Sequence, residues 1–208
     1  SLGIAISENN QKMLEQWGDL TLIEVNNYGN TETSLDDAAI DAIRMIPGVE
    51  VATPIMQMQI QSSTFIFAGR KNRYQWYAWN VTGMSADALS KLGYTAAEGR
   101  MLTSNDGGSK KLRVMFGDRT AYDFEDTNNM VDYWSVEEGG ELPDPFFNPL
   151  ETELTYQLDP MRDTAKPLTY DLEVVGIFKG DYRRGYETVY GAVMDIEDMK
   201  RIQQEYEK

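Results

Sequence analysis

Short apolar runs that end at or enclose a glycine constrain this chain more than any other feature. Val81-Thr82-Gly83-Met84, Val114-Met115-Phe116-Gly117 and Val174-Val175-Gly176-Ile177-Phe178 are too brief for independent helices. They read as strands interrupted where glycine enters. No run approaches the roughly 18 apolar residues of a membrane-spanning helix. A basic-then-apolar leader is not visible either. The pattern is that of a globular α+β chain, and 208 residues suffice to bury a real core.

The elements follow from local signals. Residues 1–19 read as a helix and Leu20–Val25 as a strand. Ser34 is placed to cap a helix running to Ile46, with Asp36 and Asp37 in its first turn, where the helix dipole favours acids. Leu35, Ala39, Ala42, Ile43 and Ile46 give that helix one apolar face, expected to pack on a sheet. Pro47-Gly48 stops it, and Val49–Thr53 is expected to complete a strand–helix–strand unit. Met56, Met58 and Ile60 alternate with glutamines, a half-buried strand expected to form a hairpin with Thr64–Ala68. Tyr74–Met84 reads as one aromatic strand. Ser85 caps a short helix that ends at Gly93.

Beyond the turn at 104–109, Leu112–Phe116, Glu153–Leu158, Tyr170–Lys179 and Val189–Met194 read as strands. Asp195 caps a final helix whose face is Ile196, Met199, Ile202 and Tyr206. The expected architecture is two subdomains. Residues 1–104 carry the strand–helix–strand unit and hairpin, and residues 105–208 carry a mostly antiparallel sheet. Residues 126–150, acidic and rich in proline, read as a long surface insertion.

Charge and composition exclude several functions. The net charge of -15 repels nucleic-acid phosphates and anionic membranes. With neither cysteine nor histidine, the chain lacks thiol nucleophiles, imidazole bases and the usual ligands of zinc, haem and iron–sulfur clusters. Oxygen ligands abound, but Asn105-Asp106-Gly107 lacks the spacing of a calcium loop. The acidic pairs carry little signal in so acidic a chain. Tyr74, Trp76, Tyr77 and Trp79 suit either a sugar-binding cleft or, as expected here, the core and surface of a sheet. Phe146 and Phe147, fenced by Pro143, Pro145 and Pro149, either plug the domain's own core or form an exposed tip, the plug being the preferred expectation.

The order of these words resembles the extracytoplasmic domain of MacB/FtsX-like ABC-transporter permeases. The matching segments are the opening Ser1–Ile6, Ile46-Pro47-Gly48-Val49, Val81–Met84, Glu98-Gly99-Arg100-Met101-Leu102, Val114–Gly117 and Val174–Phe178. The resemblance implies a bacterial domain on the outer face of the cell membrane, between the first two transmembrane helices of a permease. Its implied role is non-catalytic: coupling cytoplasmic ATP hydrolysis to external motion, or binding a substrate or partner protein. It implies an ATP-binding subunit or domain as partner, a permease homodimer, no cofactor, no metal and no nucleic acid. Both chain ends are then expected to leave the fold on one side. Phe146, Phe147, Tyr74 and Trp76 are the candidate partner interface. The alternatives are a secreted glycan-active enzyme and a surface adhesion or scaffold module.

Overall fold

The computed structural model describes residues 21–26, 35–129, 144–162 and 165–208. Among them, ten strands form one mixed sheet accompanied by three α-helices, an α+β fold. The strands are β1 (Ile55–Gln57), β2 (Thr64–Ala68), β3 (Tyr74–Tyr77), β4 (Val81–Met84), β5 (Ala96–Gly99), β6 (Leu112–Phe116), β7 (Glu125–Asp126), β8 (Leu154–Leu158), β9 (Leu168–Phe178) and β10 (Ala192–Asp195). The helices are α1 (Asp37–Arg44), α2 (Ala86–Lys91) and α3 (Ile196–Tyr206). Strand order is β1-β4-β10-β6-β9-β8-β2-β3-β7, with β5 also paired to β9.

This order has a consequence for shape. β3 and β4 lie near opposite ends of the sheet, yet only Ala78–Asn80 separate them in the chain. So short a link spans little more than a dozen ångströms at full stretch. The sheet must therefore curl until its two ends meet. One side of it buries Ile66, Trp76, Leu112, Val114, Phe116, Leu154, Tyr156, Leu158, Leu172 and Val174, with Met199 and Ile202 of α3 in the same cluster. Met115 and Val193, the alternate residues of β6 and β10, pack instead with Leu89 of α2, Tyr94, Leu102 and Phe178. The period-2 alternation of the strands thus serves two cores.

Gly99 and Gly176 mark where β5 meets β9. They are register partners, and Arg100 N–H donates to Val175 O at 2.9 Å. A Cβ on Gly176 would collide with the carbonyl oxygen of Arg100, and one on Gly99, whose φ is +67°, with that of Val175. The parallel β6–β9 ladder shifts register at the same level, between Val114 and Met115. The glycine words at 98–102 and 174–178, far apart in sequence, are two halves of one joint.

Several expectations need correction. Thr21–Asn26 lie outside any strand, and Leu20 is outside the described residues. The first described helix is capped by Asp36, which accepts from Ala39 N–H at 3.0 Å; Ser34 is outside the described residues. No residue of α1 is buried, and Leu35 and Ile46 are exposed, so its apolar face does not pack on the sheet. Helical periodicity gives a face a direction but supplies nothing to cover it. The segment 49–53 is not a strand. Pairing begins at Ile55, immediately after Pro54, which has no N–H to give a ladder.

The expected hairpin is also absent: β1 pairs with β4, while β2 pairs with β3 and β8. The alternating exposure across 55–61 holds, but alternation specifies a face and leaves the pairing partner open. Tyr74–Met84 is broken into β3 and β4. At the break, Asn80 Nδ2 donates to Tyr190 O at 2.7 Å. Strands from either side of residue 104 share ladders, as in β4–β10 and β2–β8, so the sheet does not part there. Residue 126 belongs to β7; of the expected insertion, 130–143 lie outside the described residues, and so does the opening segment 1–20, whose exit relative to Tyr206 is therefore not described.

The helix at the end of the chain is as read from the sequence. Asp195 accepts from Glu197 N–H at 2.9 Å and, more loosely, from Ala86 N–H at 3.4 Å, so one carboxylate serves the starts of α3 and α2. Gly83 of β4 lets α3 close on the sheet, its missing Cβ lying 3.0 Å from Met199.

Replacing Gly176 by Ala forces the β5–β9 joint apart. The expected loss is about 1–3 kcal/mol, the scale of an overpacked site, read as a lowered urea midpoint with an unchanged slope.

A candidate aromatic interface

The four residues singled out by the sequence come together. Tyr74, at the start of β3, stacks on Phe146 with ring centroids 4.8 Å apart and planes 6° from parallel. It also lies 6.1 Å from Phe147. Phe147 meets Phe124 edge-on at 4.9 Å, and Phe124 stacks on Trp76 at 6.3 Å. The chain of rings therefore runs from surface to core. Trp76 is 1% exposed, Phe147 packs against the core cluster, and Phe146 is 36% exposed. Segment 144–150 folds back onto the β3 edge with Phe147 as a plug and Phe146 as a partly covered flank. Asn148 secures it: its side-chain oxygen accepts from Leu150 N–H at 3.1 Å and its carbonyl from Thr152 Oγ1 at 2.7 Å.

Ionic contacts brace the same edge. Arg73 forks onto Asp126 at 3.1 and 2.9 Å, and its guanidinium lies 5.2 Å from the centre of the Tyr74 ring. Asp126 is buried, and the Arg73 hydrogen bond holds its carboxyl below the usual range. Asp123 accepts from Trp76 Nε1 at 2.8 Å. Burial raises its carboxyl, against the pull of the indole donors.

A second aromatic group escaped the sequence reading. Trp79 lies 5.5 Å from Tyr186, which is 5.4 Å from Tyr182 and 5.9 Å from Tyr190. Trp79 is 50% exposed and Tyr182 61%. Tyrosines at every fourth position, 182, 186 and 190, were a visible signal. Their segment is a 3-10 turn at Tyr186–Thr188 rather than a helix, so spacing alone did not reveal the shared patch.

The Asn105-Asp106-Gly107 turn is occupied by the protein itself. Asp106 is buried and takes both ends of the Arg100 guanidinium, at 2.7 and 2.8 Å, together with Thr103 N–H at 2.9 Å. Those bonds, Arg100 first, lower its carboxyl to about 2. No group of three or more acidic side chains among the described residues is arranged to hold a metal. No helix among them is long and apolar enough to cross a membrane.

The MacB-like periplasmic core domain model matches residues 1–206, nearly the full length. The chain belongs to that family. A crystal structure of the periplasmic region of MacB from Actinobacillus actinomycetemcomitans aligns with a TM-score of 0.45 and 13% identity. The alignment covers 83% of this chain and 62% of that one. No curated protein matches. Within this MacB-like domain, the glycine–arginine turn at 99–100 is held by Gly176 behind it and by Asp106 ahead of it.

Two outcomes are expected. Asp106→Asn removes about 2 kcal/mol at neutral pH, the equivalent of lowering a carboxyl from 3.8 to about 2. Because the folded-state value is depressed, that stability is present above 3.8 and drains as pH falls toward about 2. The variant's stability should therefore vary less than the wild type's across this window, as followed by acid titration of urea midpoints. Separately, Phe147→Ala costs about 2–3 kcal/mol, somewhat under the range for a fully buried ring, whereas Phe146→Ala costs about 1 kcal/mol or less. Equal losses would show that the two rings are equally covered.

Proposed function

We propose that this chain is the non-catalytic extracytoplasmic domain of a bacterial ABC-transporter permease. The observation that carries the reading is the family match over 1–206. On this reading, ATP is hydrolysed by a cytoplasmic subunit or domain, and the external domain couples to it by moving or by binding a substrate or partner protein. The permease works as a homodimer in the membrane. The β3 edge, where Tyr74 and Phe146 reach the surface over Trp76 and Phe147, is the proposed partner interface.

One physical feature supports mechanical coupling over a flexible tether. Strands from both halves of the chain share ladders in one sheet, so displacement at one part is resisted by hydrogen bonds throughout. The acidic surface suits an external domain that must avoid anionic lipid headgroups.

The lack of native cysteine makes a clean topology test available. Ser90→Cys places a lone thiol on the exposed side of α2. In the full-length permease, with any cysteine outside these 208 residues replaced by serine, a membrane-impermeant maleimide should label it in intact spheroplasts as fully as after lysis. Labelling only after lysis would place the domain inside and end the permease reading. Assays of the domain against glycosides, esters and peptides should show no turnover that a single Asp or Glu substitution abolishes.

A further inference from the structure

The curled sheet leaves a gap where its ends meet. The β1–β4 ladder stops at the Gln57–Thr82 pair, and pairing resumes where Ala78 N–H donates to Thr64 O at 2.9 Å. On one side of this gap six residues, 58–63, connect the two points. On the other side the chain needs only three, 79–81. The longer segment bows outward, and a cavity of about 160 Å³ opens at the seam. Met58, Ile60 and Val81 line it together with the polar Gln57, Ser62 and Thr64; the exposed Tyr77 and Trp79 and the buried Tyr156 of β8 complete the lining.

Tyr156 is the unusual member. It is 1% exposed, yet among the described residues its hydroxyl has a single hydrogen-bonding contact, with Met58 Sδ at 3.6 Å. A thioether is a weak acceptor, and a buried hydroxyl normally finds a better one. Burial also pushes the phenol far above its ordinary range, so it stays protonated and able to donate. The cavity's volume leaves room for one benzene-sized ring, and it opens to solvent on one side, where a ligand can enter. Its aromatic and thioether walls suit a ring face.

We propose that the seam cavity is a binding site for a single aromatic ring bearing a hydroxyl, which Tyr156 recognises by hydrogen bond. Two sources share this chemistry: a free phenolic compound and a tyrosine side chain of a partner. Trp79 continues outward into the exposed Tyr186–Tyr182 patch, which gives either ligand further surface beside the cavity. The site is a property of the domain itself and stands or falls apart from the permease reading.

The test titrates the 208-residue domain with p-cresol and with toluene, following the Met58 methyl and Trp79 indole NMR signals. The expected result is saturable binding of p-cresol on the order of 1 mM, a range open to so small a ligand. Tyr156→Phe should weaken p-cresol about three- to tenfold and leave toluene unchanged, as loss of one hydrogen bond requires. The retained toluene binding shows that Tyr156→Phe is folded, and Ile60→Trp, which fills the cavity from its lining, should abolish both ligands. A Gly-Tyr-Gly peptide that binds at least as well as p-cresol assigns the site to a partner's side chain, whereas its exclusion with p-cresol still bound assigns it to a free phenol. Absence of a saturable shift up to the solubility limit of p-cresol, or equal affinity for p-cresol and toluene, overturns the proposal.

Discussion

The close approach of two backbones at Gly99 and Gly176 is the contact on which the remaining architecture depends. β9 is the longest described strand; β6 runs along one side of it, and β8 (on residues 168–172) and β5 (on residues 176–178) share the other. At Gly176 and Ile177 β9 is paired on both edges at once, and the β6–β9 ladder shifts register just before them. A side chain at position 176 would hold β5 away, and Arg100 would lose the position from which it reaches Asp106. The buried Asp106 would then keep only the longer ion pair with Arg113, at 3.6 Å, and lose the close bidentate one, a costly change for a buried carboxylate. Backbone geometry and electrostatics are tied together at this point, and loosening either one strains the other.

The sequence made some elements legible because their signals are local. The last helix carries its own cap in Asp195 and its own face in Ile196, Met199, Ile202 and Tyr206, and the fold uses both. The strand at Leu112–Phe116 likewise follows from a short apolar run, and that at Leu154–Leu158 from the alternation of Leu154, Tyr156 and Leu158 with polar residues. What could not be read was pairing. β1 and β2 are adjacent in the chain, yet each finds its partners elsewhere, because a period-2 pattern is satisfied by any strand presenting a compatible face. The α1 face failed for a related reason: Leu35 and Ile46 have the right spacing, and no described element covers them.

The candidate interface was legible in composition and illegible in depth. Phe146, Phe147, Tyr74 and Trp76 do assemble, but burial divides them into a core member, a plug and two flanking rings. Adjacent aromatics in a proline-rich loop signal that something must cover them, and the cover is supplied by β3 of the same chain. Trp79, only three positions after Trp76, goes the other way and faces solvent. The alternation runs unbroken from Trp76 to Asn80, so the odd separation alone puts the two indoles on opposite faces. Backbone pairing of Ala78 with Thr64 and of Asn80 O with Ala192 N–H makes the break at Ala78–Asn80, and no local rule foretells either contact.

The seam also joins the end of the chain to the sheet. Gln203 of α3 exchanges two hydrogen bonds with the backbone of Gln59, accepting its N–H at 2.9 Å and donating to its carbonyl at 3.1 Å. The hydroxyls of Tyr206 and Ser62 meet at 2.9 Å. The bowed segment 58–63 is therefore stitched to α3 on one side and borders the cavity on the other. Such a segment, outside the ladders but anchored at several points, moves more readily than a strand and still not independently of its neighbours. A displacement of α3 must be felt at Gln59 and Ser62, and so at the Met58 and Ile60 wall. By reciprocity, anything that fixes that wall biases the position of α3 by the same free energy. In a domain proposed to couple external events to a membrane permease, the helix and the seam are the two places where that exchange has a physical path.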